Sequence, residues 1–178
     1  MKLEMFHLCP YRELPEDFRE KYHSVWVDVP RHLYDPEVGA RLYNETLDEL
    51  EYAAEIGYDG ICVNEHHQNA YGIMPSPNLM AASLARTTKD VAIIVMGNSI
   101  ALYDPPTRVA EEMAMLDNIS GGRLVSGFPV GTSMDSNYCY GVNPATFRDK
   151  YYEAEELIIK AWTNEEMFSF DGKYTQLR

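Results

Sequence analysis

The feature that most constrains the fold is an alternation: a strand-length apolar run followed by a segment with helical spacing, four times in succession. Residues 3–9 (LEMFHLC) form the first run, closed by Pro10, whose missing N–H ends a ladder. From Tyr11 to Pro36 the composition is mixed and charged, with Pro15, Pro30 and Pro36 as punctuation, and predicts a long excursion without regular structure. Such loops in compact domains are usually lids or binding loops. Asp35-Pro36 reads as cap and first turn of a helix in which Tyr43, Leu47, Leu50 and Ala54 share a face until Gly57. Residues 59–64 (DGICVN) predict a buried strand ending in Glu65-His66-His67, and a helix over 78–86 follows. Residues 91–96 (VAIIVM) predict a third strand ending at Gly97-Asn98. Pro105-Pro106 opens a third helix, with Val109, Met113 and Leu116 on one face and Ser120-Gly121-Gly122 at its end. A weaker strand over 124–128 precedes a helix capped at Asn143-Pro144 and running to Trp162. Residues 167–174 read as a hairpin around Asp171-Gly172.

Strands alternating with helices of this length imply right-handed crossovers in a parallel sheet, so the fold class is α/β. Four units are half of a (β/α)8 TIM-type barrel, which typically needs about 250 residues, against 178 here. The chain therefore reads as the N-terminal half, 1–178, of a single barrel domain with a long β1–α1 excursion over 11–36. An open doubly wound sheet is the alternative, but no G-x-G-x-x-G follows the first strand.

Asp and Glu outnumber Lys and Arg by 28 to 15, and the formal charge of -13 repels both a phosphate backbone and an anionic membrane surface. Neither nucleic acid nor a membrane is an expected partner. The acidic run Glu45, Asp48, Glu49, Glu51 and Glu55 reads as a solvated helix face. Cys9, Cys62 and Cys139 are widely spaced without a C-x-x-C pair, which argues against a disulfide scaffold and a structural zinc site, and a reducing cytoplasm is expected. The N-terminal residues hold no sustained apolar stretch, so neither a signal peptide nor a span is expected.

In parallel β/α architectures function gathers at the carboxyl ends of the strands. In extended backbone Glu65 and His67 point to one side and His66 to the other, an arrangement that cannot chelate one metal with all three, so no metal site is expected. A histidine at such a rim acts as a general base, hydrogen-bonds a reactive oxygen species or satisfies a loop carbonyl. His7, inside the first strand, reads more readily as a satisfied core or rim histidine than as a catalytic one. Gly97-Asn98 joins a residue without Cβ to an amide that donates and accepts, letting a flat ligand approach the backbone, although a plain turn explains the pair equally well. Gly127-Phe128-Pro129-Val130-Gly131 is neither a Walker loop nor a dinucleotide fingerprint. Tyr138, Cys139 and Tyr140 read as loop residues, more readily packed on a surface than forming an aromatic wall.

Glu65-His66-His67 with the following 69–78 (NAYGIMPSPN) resembles the signature of the bacterial luciferase-like flavin monooxygenases. The stretches 97–102 (GNSIAL), 104–112 (DPPTRVAEE) and 116–124 (LDNISGGRL) are similar to successive family blocks in the right order, as is 143–174 from Asn143-Pro144 to Asp171-Gly172-Lys173-Tyr174. The resemblance implies a barrel in which reduced flavin, usually FMN from a separate reductase, reacts with dioxygen to oxygenate a small organic substrate. It implies that His66 lies near the reactive edge of the flavin with Glu65 and His67 beside it. It also implies that the backbone at Gly97-Asn98 bends around the flavin ring, often through a non-proline cis peptide. Val130-Gly131 falls at the flavin-phosphate position, where luciferase itself carries an arginine, so phosphate grip must come from elsewhere. Relatives of this kind are about twice as long and commonly pair, so a homo-oligomer is expected of the full-length form and little activity of these residues alone. Two rivals remain open: a deazaflavin-dependent oxidoreductase on the same barrel, and a non-catalytic flavin-binding or assembly module. Trp26, within the excursion, is a potential pocket wall.

Overall fold

The computed structural model describes residues 1–132 and 134–178. Four parallel strands, β1 (Glu4–Phe6), β2 (Gly60–Val63), β3 (Ala92–Met96) and β4 (Leu124–Gly127), form a sheet in the order β1-β2-β3-β4. The connections hold a short α1 (Phe18–Lys21), then α2 (Pro36–Glu55), α3 (Pro77–Thr87) and α4 (Thr107–Ser120), and α5 (Pro144–Thr163) follows β4. Sequential strand order is what half of a closed barrel requires. A doubly wound sheet would reverse direction at a switch point, and this one does not.

The register explains which side chains meet the helices. Met5, Ile61, Ile93 and Leu124 lie abreast, as do Val63, Val95 and Ser126. Ile61, Val63, Ile93 and Val95 are buried against Leu50, Leu84, Val109, Met113 and Ile158 from the helices. The opposite face carries Phe6, Cys62, Ile94 and Val125 in one row, with Met96 further along it, and there Phe6, Met96 and Val125 remain about half exposed. One face of the sheet is thus a finished core, and the other, with Cys62 and Ile94 buried, is left partly open at Phe6, Met96 and Val125.

Helix limits follow the expected capping chemistry. The Asp35 carboxylate accepts from Glu37 N (2.8 Å) with Pro36 in the first turn, and Asn143 Oδ1 accepts from Ala145 N (3.0 Å) before α5. Gly121 ends α4 in the left-handed region at φ 71°.

Several expectations need correction. The first strand spans three residues rather than seven, because the chain turns at Cys9, in left-handed backbone at φ 49°. The excursion is not devoid of regular structure: it holds α1 and a 3-10 turn at Arg31–Leu33. The terminal hairpin pairs β5 (Phe170–Asp171) with β6 (Gln176–Leu177), further along than 167–174. Its turn is propped by the Glu153 carboxylate, which accepts from the backbone N–H groups of Lys173, Tyr174 and Thr175. Among the described residues no helix is long and apolar enough to cross a membrane.

Candidate functional site

Beyond the end of β2 the chain separates the three residues of the acid–histidine triplet. His66 turns to one side, where its Nδ1 lies 3.1 Å from Asp135 Oδ2. Asp135 belongs to a π-helical turn, Met134–Cys139, in the β4–α5 connection. Its carboxylate also accepts from His67 N (2.8 Å), Thr132 Oγ1 (2.6 Å) and Asn69 Nδ2 (3.1 Å). Burial alone would raise the Asp135 pKa, but the hydrogen bonds from His66, Thr132 and His67 N outweigh it and hold the carboxyl below its ordinary value. The carboxylate is therefore ionised at neutral pH, and as an acceptor it takes the hydrogen bond of His66 Nδ1–H. His66 Nε2 is left as the acceptor, with no hydrogen bond among the described residues.

Glu65 and His67 meet on the other side, Oε1 to Nε2 at 2.7 Å, and both are buried. The second Glu65 oxygen accepts from Tyr103 OH (2.9 Å), Asn98 Nδ2 (3.2 Å) and Ser99 N (3.3 Å). Burial, the charge of Glu65 and the hydrogen bond to it all push the Tyr103 pKa up, so its hydroxyl stays a donor. Tyr140 closes the other end of the chain of contacts, its OH 3.3 Å from His67 Nδ1. A buried carboxylate is tolerated only when its oxygens are satisfied, and this one is, at both.

Asn98 follows β3 with none of its surface exposed, and its backbone N–H donates to Gly127 O (3.1 Å) at the end of β4. The Met96-Gly97 peptide is cis. The position is restricted to glycine by contact: a Cβ on Gly97 would stand 1.9 Å from Gly127 O. Asn64 Oδ1 and Asn98 Oδ1, just beyond β2 and β3, are buried acceptors without a partner among the described residues, and such groups are uncommon in folded proteins.

His66 also forms part of the wall of a cavity of about 580 Å³. The excursion supplies one wall, from Tyr11, Leu14 and residues 26–34, and the segment after His66 supplies the other, with Tyr43, Tyr138 and Cys139 at its margins. Backbone bonds hold the walls together: Tyr11 N to Ala70 O (3.0 Å), Ala70 N to Val25 O (2.8 Å) and Ile73 N to Cys9 O (2.8 Å). Trp26 stacks on Tyr71 at 3.9 Å, and both rings meet the His66 imidazole edge-on at 5.2 and 5.3 Å. Gly72 leaves the imidazole its room, since a Cβ there would be 2.8 Å from His66 Cδ2.

A family model described as luciferase-like monooxygenase matches residues 23–178. The chain belongs to the luciferase-like monooxygenase family. It is 28% identical over 137 residues to 4-hydroxyprotoasukamycin monooxygenase of Streptomyces nodosus subsp. asukaensis, covering 77% of this chain and 36% of that protein. It is 35% identical over 108 residues to the oxygenase component of the flavin-dependent trigonelline monooxygenase of Acinetobacter baylyi, covering 61% of this chain and 29% of that one. In fold it matches the oxygenating constituent of 3,6-diketocamphane monooxygenase of Pseudomonas putida, solved in complex with FMN, with a TM-score of 0.76 at 20% identity, over 99% of this chain and 43% of that one. The chain thus spans less than half the length of these relatives.

Within this family member, the structure ties the residues singled out in the sequence into two connected groups. His66 lies against the cavity, whereas Glu65 and His67 face away from it, and Glu65 joins Asn98 and Ser99 just beyond β3. Val130 packs at the edge of the core, and Gly131 adjoins Ser99, whose Oγ would be 2.7 Å from a Cβ at Gly131. His7 is satisfied, Nε2 by Glu49 Oε2 (2.7 Å) and Nδ1 by Cys9 N (2.9 Å). Tyr138 and Cys139 line the cavity and Tyr140 packs on His67, a closer involvement than loop packing. Sequence reasoning missed Asp135, Tyr103 and Thr132. Each acts through a contact made only by the fold, and no local motif marks them.

Proposed function

We propose that the complete protein is a flavin-dependent monooxygenase that uses reduced flavin and dioxygen to oxygenate a small organic substrate. The observation that carries the reading is the setting of His66: Nδ1 held by an ionised Asp135 and Nε2, without a partner among the described residues, at a cavity wall. A neutral imidazole held in this tautomer can accept a proton at a reacting oxygen and return it.

The residues present fit the ring portion of a flavin. Side-chain-free backbone at Gly97 and Gly127, the half-exposed Met96 side chain and the Asn64 and Asn98 carbonyls, unpaired among the described residues, stand together at the strand ends. The phosphate portion is not provided for in the same way, because residues 97–99 and 127–132 contain no Lys or Arg. In this reading Gly97, Asn98, Val130 and Gly131 border the cofactor through backbone, FMN is the flavin, and a separate reductase supplies it reduced. The trigonelline relative, named as an oxygenase component, supports that last point. Bound reduced flavin supplies the electrons that reduce dioxygen, one oxygen atom entering the substrate and the other leaving as water. The chain itself contributes proton management at His66, with Glu65 and His67 holding the β2 and β3 ends in register.

The test uses the full-length protein with photoreduced FMN and measured oxygen uptake. Oxygen-dependent flavin reoxidation is expected to be coupled to product. His66→Ala should lower product per flavin by about a hundredfold and divert oxygen to hydrogen peroxide. Inertness to oxygen combined with turnover of a reduced deazaflavin would establish hydride transfer instead. Product formation unchanged in His66→Ala would remove His66 from the chemistry, and flavin binding without turnover in the parent would leave only a flavin-binding module.

A further inference from the structure

The cavity beside His66 also defines what kind of molecule can occupy it, an inference that rests on the oxygenase reading. Its walls are chiefly hydrocarbon: Leu14, Val27, Val29 and Leu33 from the excursion face Ala70 and Ile73 from the segment after His66. Three of the polar side chains among these walls are already engaged, and those that remain, on Trp26, Tyr34, Gln68 and Tyr138, are uncharged. Tyr11 OH accepts from Asp35 N (3.0 Å), Tyr43 OH donates to Ile73 O, and the Asn69 amide is bonded to His67 O, Asp135 and Gly72 N. Besides His66, the ionisable acid and base side chains of the lining are Asp28 and Arg31, one of each sign, both exposed. An ion buried deeper would lack a counter-charge, which is costly. The chain's formal charge of -13 further opposes an anion.

We propose that this cavity binds the organic substrate, and that the substrate is an uncharged, mainly hydrocarbon compound, selected by the 11–36 excursion. A cavity of about 580 Å³ is in the range that encloses a small organic molecule. His66 Nε2 is then a polar group available at the wall to the reacting end of that molecule, and the excursion, not the strand ends, sets which molecule fits.

The proposal is tested by calorimetric titration of the full-length protein with three ligands of similar ring size: cyclododecanone, cyclododecanecarboxylate and cyclododecyltrimethylammonium. The ketone is expected to bind saturably and at least tenfold more tightly than either ion. Leu33→Trp, which fills the cavity from its outer wall, should weaken ketone binding at least tenfold, with an unchanged circular dichroism spectrum showing that the variant is folded. Leu79→Gln, at an exposed position on α3 outside the cavity lining, should retain ketone binding within about threefold. No ketone binding, an ion binding as tightly as the ketone, or indifference to Leu33→Trp in a folded variant would each overturn the proposal. Flavin reoxidation by oxygen is measured separately on the same protein. A reactive flavin without ketone binding defeats the substrate class alone, whereas ketone binding without oxygen reactivity defeats the oxygenase reading.

Discussion

Asp135 is the residue on which the arrangement of His66 turns. Its carboxylate fixes the imidazole tautomer and receives three other donors, the His67 backbone N–H, the Asn69 amide and the Thr132 hydroxyl. Asp135→Asn replaces a charged acceptor by an amide that can donate to Nδ1, which favours the tautomer with the proton on Nε2. Full-length protein carrying it is expected to lose about tenfold or more in product formed per reduced flavin, with the pH profile displaced while flavin affinity is retained. The measurement is coupled turnover against pH beside a flavin titration. A profile identical to the parent's would remove Asp135 from the proton path. The same carboxylate links stability to pH, and the sign follows from its depressed pKa. Its stabilising contribution is complete above the ordinary value of 3.8 and is lost as pH falls through the lower value in the folded state. Acid titration followed by near-ultraviolet circular dichroism should show the Tyr138–Tyr140 region changing first in the parent below about pH 4, and Asp135→Asn should abolish that step.

At the scale of elements, the β3–β4 junction is the most restrictive place in the chain. Gly97 and Gly127 bring two backbones together with Asn98 N donating across them, and a methyl group at Gly97 has no space beside Gly127 O. Gly97→Ala is expected to destabilise the chain by about 1–3 kcal/mol, read by urea denaturation. Stability equal to the parent's would show that the junction opens without cost. The regular elements were legible because their signals are local: Asp35-Pro36 and Asn143-Pro144 open α2 and α5, Gly121 closes α4, and continuous apolar runs mark β2 and β3. What escaped is what contact alone creates. The three-residue β1 is limited by a turn at Cys9, and the π-helical turn at Met134–Cys139 delivers Asp135 to a histidine 69 positions earlier in sequence. The split of the triplet was legible from strand alternation alone, since Glu65 and His67 do share a side opposite His66. Their engagement with Tyr103, Asn98 and Ser99 was not, because it depends on how β2 and β3 are aligned.

At the scale of the whole molecule, the two faces of the sheet have opposite states. The helix-covered face is closed, whereas Phe6, Met96 and Val125 leave apolar surface open on the other, along two unpaired strand edges at β1 and β4. Contiguous apolar surface and bare edges of this kind promote association. Residues 1–178 expressed alone are therefore expected to bind 8-anilinonaphthalene-1-sulfonate and to self-associate as concentration rises, measured by dye fluorescence and sedimentation velocity. The assignment to this face is specific: Phe6→Gln with Val125→Thr should reduce both signals, whereas Leu79→Gln, an exposed position on α3 outside the sheet, should leave them as they were. A monomer that ignores the dye would mean that these side chains fold over one another in solution and that the inner face is already closed by the four strands themselves.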